Sequence, residues 1–243
     1  MSRNLIIELP PVSVIIPAYN EEAFLGMTIT GVLESGFPCE LIIVDDGSTD
    51  QTSQILKGFE PRIRVVRHPV NRGKGAAMAS GVRTAAGEIV VFCDAHVLGL
   101  RQYHFLSLVL PLLQGPTRAV LGVAMPRTPP FPWLIMPILT GQRAYFRRDL
   151  EPLLVTMERL GYGVETFLFR CFPLRQTAVV LLPGLIHLIK PQFLSPPAVA
   201  KGYWRESVEI LGTLAWLGKE HGTALLRRKI WPKGGFPKPS VFA

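Results

Sequence analysis

Four short segments place carboxylates, a lysine, a histidine and glycines directly after apolar runs, a grouping suited to holding an anionic ligand with a cation beside it. They are Pro17-Ala18-Tyr19-Asn20-Glu21-Glu22, Asp45-Asp46-Gly47-Ser48-Thr49-Asp50, Asn71-Arg72-Gly73-Lys74-Gly75 and Asp94-Ala95-His96. Each has an ordinary explanation when taken alone. Asp45-Asp46-Gly47-Ser48 is a good turn and cap signal. Glycine often opens a helix for steric reasons, and a single lysine adds only modestly to an anion-site reading of Gly73-Lys74-Gly75. A lone Asp94 could merely cap the next turn of the chain. Their coincidence at four successive strand ends favours one shared site. There Asp94 offers an anionic oxygen and His96 a neutral nitrogen to a divalent cation such as Mn²⁺ or Mg²⁺.

The elements that must position these residues are legible as an alternation. The nearly continuous apolar runs Val12 to Ile16, Leu41 to Asp45, Ile63 to Arg67 and Glu88 to Cys93 suit strands buried on both faces. Helical segments lie between them: one from about Glu22 to Ser35, stopping at Gly36, and one after Asp50, which reads as its N-cap. A third begins near Gly73, carries Ala76, Ala77, Ala79, Ala85 and Ala86, and ends at Gly87. The resulting β-α-β-α-β-α-β order requires crossover connections and predicts an α/β fold, a doubly wound, mostly parallel sheet with helices on both faces. In such a sheet ligands bind outside the carboxyl ends of the strands, where the four segments fall.

Beyond Asp94 the sequence predicts an apolar helix from about Tyr103 to Leu113, a strand from Ala119 to Val123, and a loop over the proline-rich Pro126 to Pro137. Two helices are expected around Arg143 to Arg159 and Glu165 to Cys171, then an amphipathic helix Tyr203 to Leu217 and a mobile last dozen residues. There is no internal repeat. The chain reads as one domain, 1–243, with a first half to residue 115 that carries the four segments, a second half from 116 to 190, and an extension from 191.

Two nucleotide folds are set aside: the first β-α turn lacks G-x-G-x-x-G, and no G-x-x-x-x-G-K-[ST] follows any strand. Val14 to Glu22, Ile43 to Asp50 and Asn71 to Gly75 instead resemble the signatures of the family 2 glycosyltransferases, which have the GT-A fold, over roughly residues 12 to 190. The nearer likeness is to the dolichyl-phosphate sugar synthase branch. The resemblance implies that Pro17, Ala18, Tyr19 and Glu21 line the nucleoside site, that Asp46 hydrogen-bonds the base or ribose, and that Lys74 sits near the nucleotide. The family's metal motif is Asp-x-Asp, and this chain departs from it with Asp94-Ala95-His96. The Asp-x-His form resembles that of the polypeptide N-acetylgalactosaminyltransferases, which add a later histidine. His187 could fill that role or be a satisfied histidine in an apolar segment.

Thr140-Gly141-Gln142-Arg143-Ala144 and Gly161-Tyr162-Gly163-Val164-Glu165 resemble acceptor-side segments of the same branch. Glu165 is the candidate catalytic carboxylate, a base contributing about 10²–10⁴-fold toward a hydroxyl acceptor. Toward an ionised phosphate acceptor it would position instead, with Arg143, Arg147 or Arg148 holding the lipid phosphate. Those arginines could equally be a solvated helix face.

The expectation is therefore a glycosyltransferase that takes a UDP- or GDP-sugar, inverts by direct displacement, and acts on a polyprenyl phosphate or cell-envelope glycan precursor. A binding protein that kept the fold but lost transfer is the alternative. The 243 residues, 48% hydrophobic, can bury a substantial core, and the net charge of +8 favours anionic partners. Nucleic acid is not expected: binding it would need exposed aromatics interleaved with Lys and Arg on one surface, and the strand-end clustering does not suggest that. Cys39, Cys93 and Cys171 have no C-x-x-C spacing, Met1 to Pro11 has no signal-peptide pattern, and the longest apolar run, Ala178 to Ile189, is too short to span a bilayer. Together they point to a cytoplasmic protein, with peripheral membrane contact allowed.

Overall fold

The computed structural model describes residues 8–125 and 140–188, together with Thr213. The proline-rich stretch Pro126 to Pro137, the helix expected at Tyr203 to Leu217 and the final dozen residues lie outside that description.

The strand runs form as the sequence predicts: β1 (Val12–Ala18), β2 (Glu40–Asp45), β3 (Arg64–Arg67) and β4 (Ile89–Phe92) are parallel neighbours. Between them lie α1 (Leu25–Glu34), α2 (Thr52–Lys57) and α3 (Lys74–Thr84). Period-two alternation sends Val14, Ile16, Ile43 and Val91 to one core with Leu25, Ile29 and Phe105. Ile15, Ile42, Val44 and Val90 go to the other, with Ala77, Met78, Phe167 and Leu168. Each such fully buried aliphatic contributes about 1.5–3 kcal/mol, so the sheet centre is the rigid part of the molecule.

Helix ends are set by contacts that propensity does not show. α1 starts at Leu25, later than expected, because the residues before it are fastened to the next loop: Glu21 N–H donates to Thr52 Oγ1 at 2.9 Å and Glu22 N–H to Asp50 Oδ2 at 3.2 Å. Asp50 accepts the Thr52 N–H at 2.9 Å, one position outside the Gln51 cap. Asn20 binds the same loop, its Oδ1 accepting from Thr49 N–H at 2.8 Å. The first two β-α loops are thereby one hydrogen-bonded unit.

After β4 come the short β5 (Val97–Leu98), then α4 (Gln102–Val109) with a 3₁₀ turn to Leu113, and β6 (Ala119–Met125). The segment expected to open a helix at Arg143 opens instead as β7 (Arg143–Phe146), followed by helical turns α5 (Arg147–Leu150) and α6 (Leu154–Met157). β7 is inserted between β4 and β6, antiparallel to both, and its backbone is satisfied by those ladders. Helix-forming residues follow it, so local composition hides the strand. α7 (Val164–Cys171) matches the expected helix, and β8 (Thr177–Pro183) joins the sheet beside β6. The sheet order is β3-β2-β1-β4-β7-β6-β8.

A second, two-stranded sheet pairs β5 with β9 (Ile186–His187), Val97 opposite His187. The Leu188 N–H donates to the His96 carbonyl at 2.9 Å. Thr28 Oγ1 on α1 lies 2.9 Å from the Ala95 carbonyl and 3.0 Å from that of Val97, which fixes the same segment from the other side. No helix among the described residues is long and apolar enough to cross a membrane.

Candidate active site

Lys74, the first residue of α3, sends its ammonium into the carboxyl edge of the sheet. Its Nζ donates to Asp94 Oδ1 at 3.1 Å and to Glu165 Oε1 at 2.7 Å. Three residues that are far apart in sequence thus meet at one cation, and both carboxylates are buried. Burial works against the ammonium, but Asp94 and Glu165 outweigh it and hold the Lys74 pKa above its ordinary value. Burial likewise opposes the Asp94 carboxylate. Lys74 first, then His96 and His187, more than offset that and keep it ionised well below the usual carboxylate range.

The 140–142 segment closes over Asp94. Gln142 Nε2 donates to Asp94 Oδ2 at 3.2 Å. A Cβ on Gly141 would stand 1.9 Å from Asp94 Oδ1, so only glycine fits there. Thr140 Oγ1 donates to the Gly122 carbonyl at 2.6 Å and holds this segment against β6. The sequence showed Gly141 and Gln142 only inside a resembling motif; nothing local says that they meet Asp94.

His187 arrives through the β5–β9 ladder, its Nδ1 3.8 Å from Asp94 Oδ2, and the His96 ring centroid lies 6.1 Å from that of His187. Asp94, His96 and His187 offer one oxygen and two nitrogens all within 4.8 Å of one another. This donor set suits a borderline cation that accepts imidazole. Buried Glu21 places Oε1 3.6 Å from His96 Nδ1, close enough for an ion pair but not a hydrogen bond.

Asp46 is also buried, yet it turns inward. Its Oδ1 accepts from the Arg72 N–H at 3.0 Å and its Oδ2 from the Gly73 N–H at 2.7 Å, while His68 Nδ1 lies 2.6 Å from Oδ1. It therefore clamps the loop that delivers Lys74, with Gly73 at φ +92°. Pro17, Ala18 and Tyr19 end β1, with Tyr19 exposed and the Ala18 carbonyl accepting the Asp46 N–H at 2.8 Å.

The arginines expected to hold an acceptor phosphate stand elsewhere. Arg143 is fully buried, donating through Nε to the Thr140 carbonyl at 2.5 Å and through its guanidinium to the Glu165 carbonyl at 2.9 Å. Its charge supports the backbone under Glu165 and cannot reach a lipid head group. Arg147 donates to the Gly87 carbonyl at 3.0 Å and pairs with Glu151, and Arg148 lies over the Phe146 ring. Phe146 pairs with Ile89 at the start of β4, so both sit at the opposite end of that strand from Asp94, roughly 15–20 Å away at strand rise. The helix expected from Arg143 would have placed Arg143 and Arg147 on one face; β7 separates them.

The thiols are not nucleophiles of this site. Burial pushes Cys171 up to about 12, burial and then Glu40 push Cys39 up to about 11, and burial raises Cys93 well above its ordinary value.

Comparison with known proteins places this arrangement. The family model described as glycosyl transferase family 2 matches residues 13–175. Glucosyl-3-phosphoglycerate synthase of Mycobacterium tuberculosis is 30% identical over 154 residues, covering 58% of this chain and 39% of that protein. The human dolichyl-phosphate beta-glucosyltransferase is 36% identical over 97 residues, covering 34% of this chain and 30% of that protein. The chain thus spans well under half the length of these curated relatives. Among solved structures, the M. tuberculosis glucosyl-3-phosphoglycerate synthase in complex with Mn²⁺, UDP-glucose and glycerol 3-phosphate superposes with a TM-score of 0.66 at 27% identity, covering 86% of this chain and 80% of that one. The same enzyme with Mg²⁺ and UDP gives a TM-score of 0.66.

Proposed function

We propose, from the premise that this chain belongs to the family 2 glycosyltransferases, that it transfers a sugar from a nucleoside-diphosphate sugar to an acceptor that carries phosphate. The observation that carries this reading is the Lys74 ammonium held between Asp94 and Glu165 at the carboxyl edge of a doubly wound sheet.

Asp94, His96 and His187 would hold Mn²⁺ or Mg²⁺, which when bound supplies charge neutralisation to a leaving diphosphate. Lys74 contributes a second positive charge at the same place, preorganised by two carboxylates, so no reorganisation is needed as negative charge develops. Glu21 lies beside the His96 ring. Pro17, Ala18 and Tyr19 border the nucleoside, and Asp46 acts on the nucleotide through the 72–74 loop that it clamps. UDP is the base-bearing group we favour, since the solved relatives hold it.

Glu165 is held by Lys74, so it orients the sugar or acceptor. A phosphate oxygen needs no base, and a net charge of +8 suits such acceptors. One relative is named for 3-phosphoglycerate and another for dolichyl phosphate; both classes remain as assay acceptors. The route we propose is single displacement with inversion, read from the anomeric coupling constant of the product. The site draws Lys74 and Asp94 from the first half, the nucleotide-sugar side, and Gln142, Glu165 and His187 from the second, the acceptor side, so we read 1–190 as one catalytic unit. Three unpaired cysteines fit a reducing compartment such as the cytoplasm.

The test is a thermal-shift screen with UDP- and GDP-sugars, with and without Mn²⁺, followed by transfer assays on 3-phosphoglycerate and a short polyprenyl phosphate. A true donor at about 100 times its dissociation constant adds about 2.7 kcal/mol of stability. No metal-dependent stabilisation by any donor would sink the proposal. Metal-dependent binding without transfer or hydrolysis would instead identify a silent sugar-nucleotide-binding homologue.

A further inference from the structure

We infer that His68 and Ser80 are positioning residues for Lys74, acting on it through Asp46. The inference rests on the donor-site reading of Lys74 given above.

The contacts form a ring. Asp46 follows β2 and fastens the two residues before Lys74 by accepting the Arg72 N–H at 3.0 Å and the Gly73 N–H at 2.7 Å. His68 follows β3 and its own N–H donates to the Asp45 carbonyl at 2.9 Å, which seats the ring of His68 beside that carboxylate. A carboxylate only accepts, so Nδ1 of His68 carries the proton in the 2.6 Å bond to Asp46. Nε2 faces Ser80 Oγ at 2.9 Å, and in the neutral ring it accepts the hydroxyl proton there. Ser80 lies on α3, the helix that Lys74 begins. The hydrogen bonds therefore run from the body of α3 through His68 and Asp46 back to the start of α3.

Such a closed path has a mechanical consequence at one atom. Lys74 Nζ must reach Asp94 and Glu165 at once, at 3.1 and 2.7 Å, and its backbone directly follows Gly73. Gly73 stands at φ +92° with no side-chain cap of its own, so the Asp46 carboxylate supplies what the sequence of the helix start lacks. A displacement of about 1 Å at this point forfeits one of the two contacts, and misplacements of that size can cost about 10²-fold at a reacting site. His68 and Ser80 make no hydrogen bond to either carboxylate of the Lys74 pair, and the hydrogen-bonded path from them to the start of α3 runs through Asp46.

The test is UDP binding in the presence of Mn²⁺, by calorimetry, for the wild type, His68→Ala, His68→Asn, Ser80→Ala, Lys74→Met and the double variant His68→Ala/Lys74→Met. His68→Ala should raise the UDP dissociation constant about tenfold, within the coupling range of contacting residues. His68→Asn should recover most of that loss, since its amide can donate where Nδ1 did, and Ser80→Ala should cost about two- to threefold. In the Lys74→Met background the His68 change should add nothing. A far-downfield proton resonance from the short His68–Asp46 bond should be present in the wild type and lost in His68→Asn and Asp46→Asn. An equal His68 effect with and without Lys74 overturns the inference, as does a folded His68→Ala protein that binds UDP as the wild type does. Should His68→Ala fail to fold, the same cycle is run with Ser80→Ala. Lys74→Met binding UDP normally would instead overturn the donor-site reading, and that result needs no His68 variant.

Discussion

Lys74 donates a 2.7 Å hydrogen bond to Glu165 across 91 positions of sequence, and the same ammonium holds Asp94 at 3.1 Å. Because all three groups are largely removed from water, this cation governs both the stability of the site and its chemistry.

Lys74→Met is expected to leave two buried carboxylates without their counter-charge. Removing one partner of a buried pair costs about 3–5 kcal/mol, and the partial exposure of Lys74 places the loss at or below the low end of that range. Chemical denaturation measures it, and UDP affinity should fall by about tenfold or more in parallel, as for a hydrogen bond to a charged group. An unchanged midpoint would show that Asp94 and Glu165 do not need the lysine.

Glu165→Gln is expected to retain UDP and Mn²⁺ binding while turnover drops by about tenfold or more, less than the full effect of a lost general base. Steady-state kinetics with a phosphate acceptor gives the value. A loss beyond about 10⁴-fold would restore Glu165 as an obligatory proton acceptor.

His96 and His187 are expected to titrate in opposite senses in the metal-free protein. Burial lowers His96, but Glu21 and Asp94 outweigh it and raise its pKa above 6.5. Burial lowers His187, and His96 and Lys74 reinforce that against Asp94. His96 therefore stabilises the fold below about pH 6.5, and that contribution is lost as pH rises through its folded value. The His187 contribution is present above about pH 6.5 and is lost as pH falls through its lower folded value. Both rings must be neutral to ligate, so His96 sets the acid limb of Mn²⁺ binding and places it above about pH 6.5. Electron paramagnetic resonance titrations at several pH values check this. His96→Asp should move the limb to lower pH and narrow the preference for Mn²⁺ over Mg²⁺. An acid limb that ignores His96 would remove it from the metal shell.

Gly141→Ala is expected to weaken Mn²⁺ and donor binding by about 10–100-fold, the range for outer-shell disruption, because the added Cβ would stand 1.9 Å from Asp94 Oδ1. Gly26→Ala is the control, since its Cβ would meet Ile55 at an ordinary 3.6 Å. Calorimetric Mn²⁺ affinities of the two variants should differ; equal values would mean that Asp94 moves aside freely.

Arg143→Ala is expected to act on stability, leaving the buried Thr140 carbonyl without its Arg143 donor at about 1–3 kcal/mol and taking a second donor from the Glu165 carbonyl, which keeps its place in the helix. Arg148→Ala should change neither stability nor acceptor KM appreciably, because its guanidinium rests on the Phe146 ring far from Asp94. A raised acceptor KM for Arg148→Ala would return that arginine to the acceptor site.

Most of the sheet was legible because β1, β2 and β4 are nearly continuous apolar runs, and burial on both faces of a parallel sheet demands that pattern whatever lies around it, while the edge strand β3 shows only its two central valines. The strand ends were legible for the same reason: once the runs are placed, Glu21, Asp46, Lys74 and Asp94 must fall along one edge. β7 was not legible. Arg143–Phe146 is four residues long, and its strand state is conferred by the ladders of β4 and β6, neither of which is near it in sequence.

Residue types and their order along the chain singled out Lys74, Asp94 and His96 as candidates, since apolar periodicity fixes which residues end a strand or begin a helix, and the family resemblance added Glu165. Only the tertiary structure decided which of them touch. It set Lys74 between Asp94 and Glu165, brought His187 to Asp94 through the β5–β9 ladder, turned Asp46 inward to hold the Lys74 loop, and buried Arg143 beneath Glu165. Side-chain direction depends on which neighbours complete each hydrogen bond and displace water, and for these residues those neighbours come from distant parts of the chain.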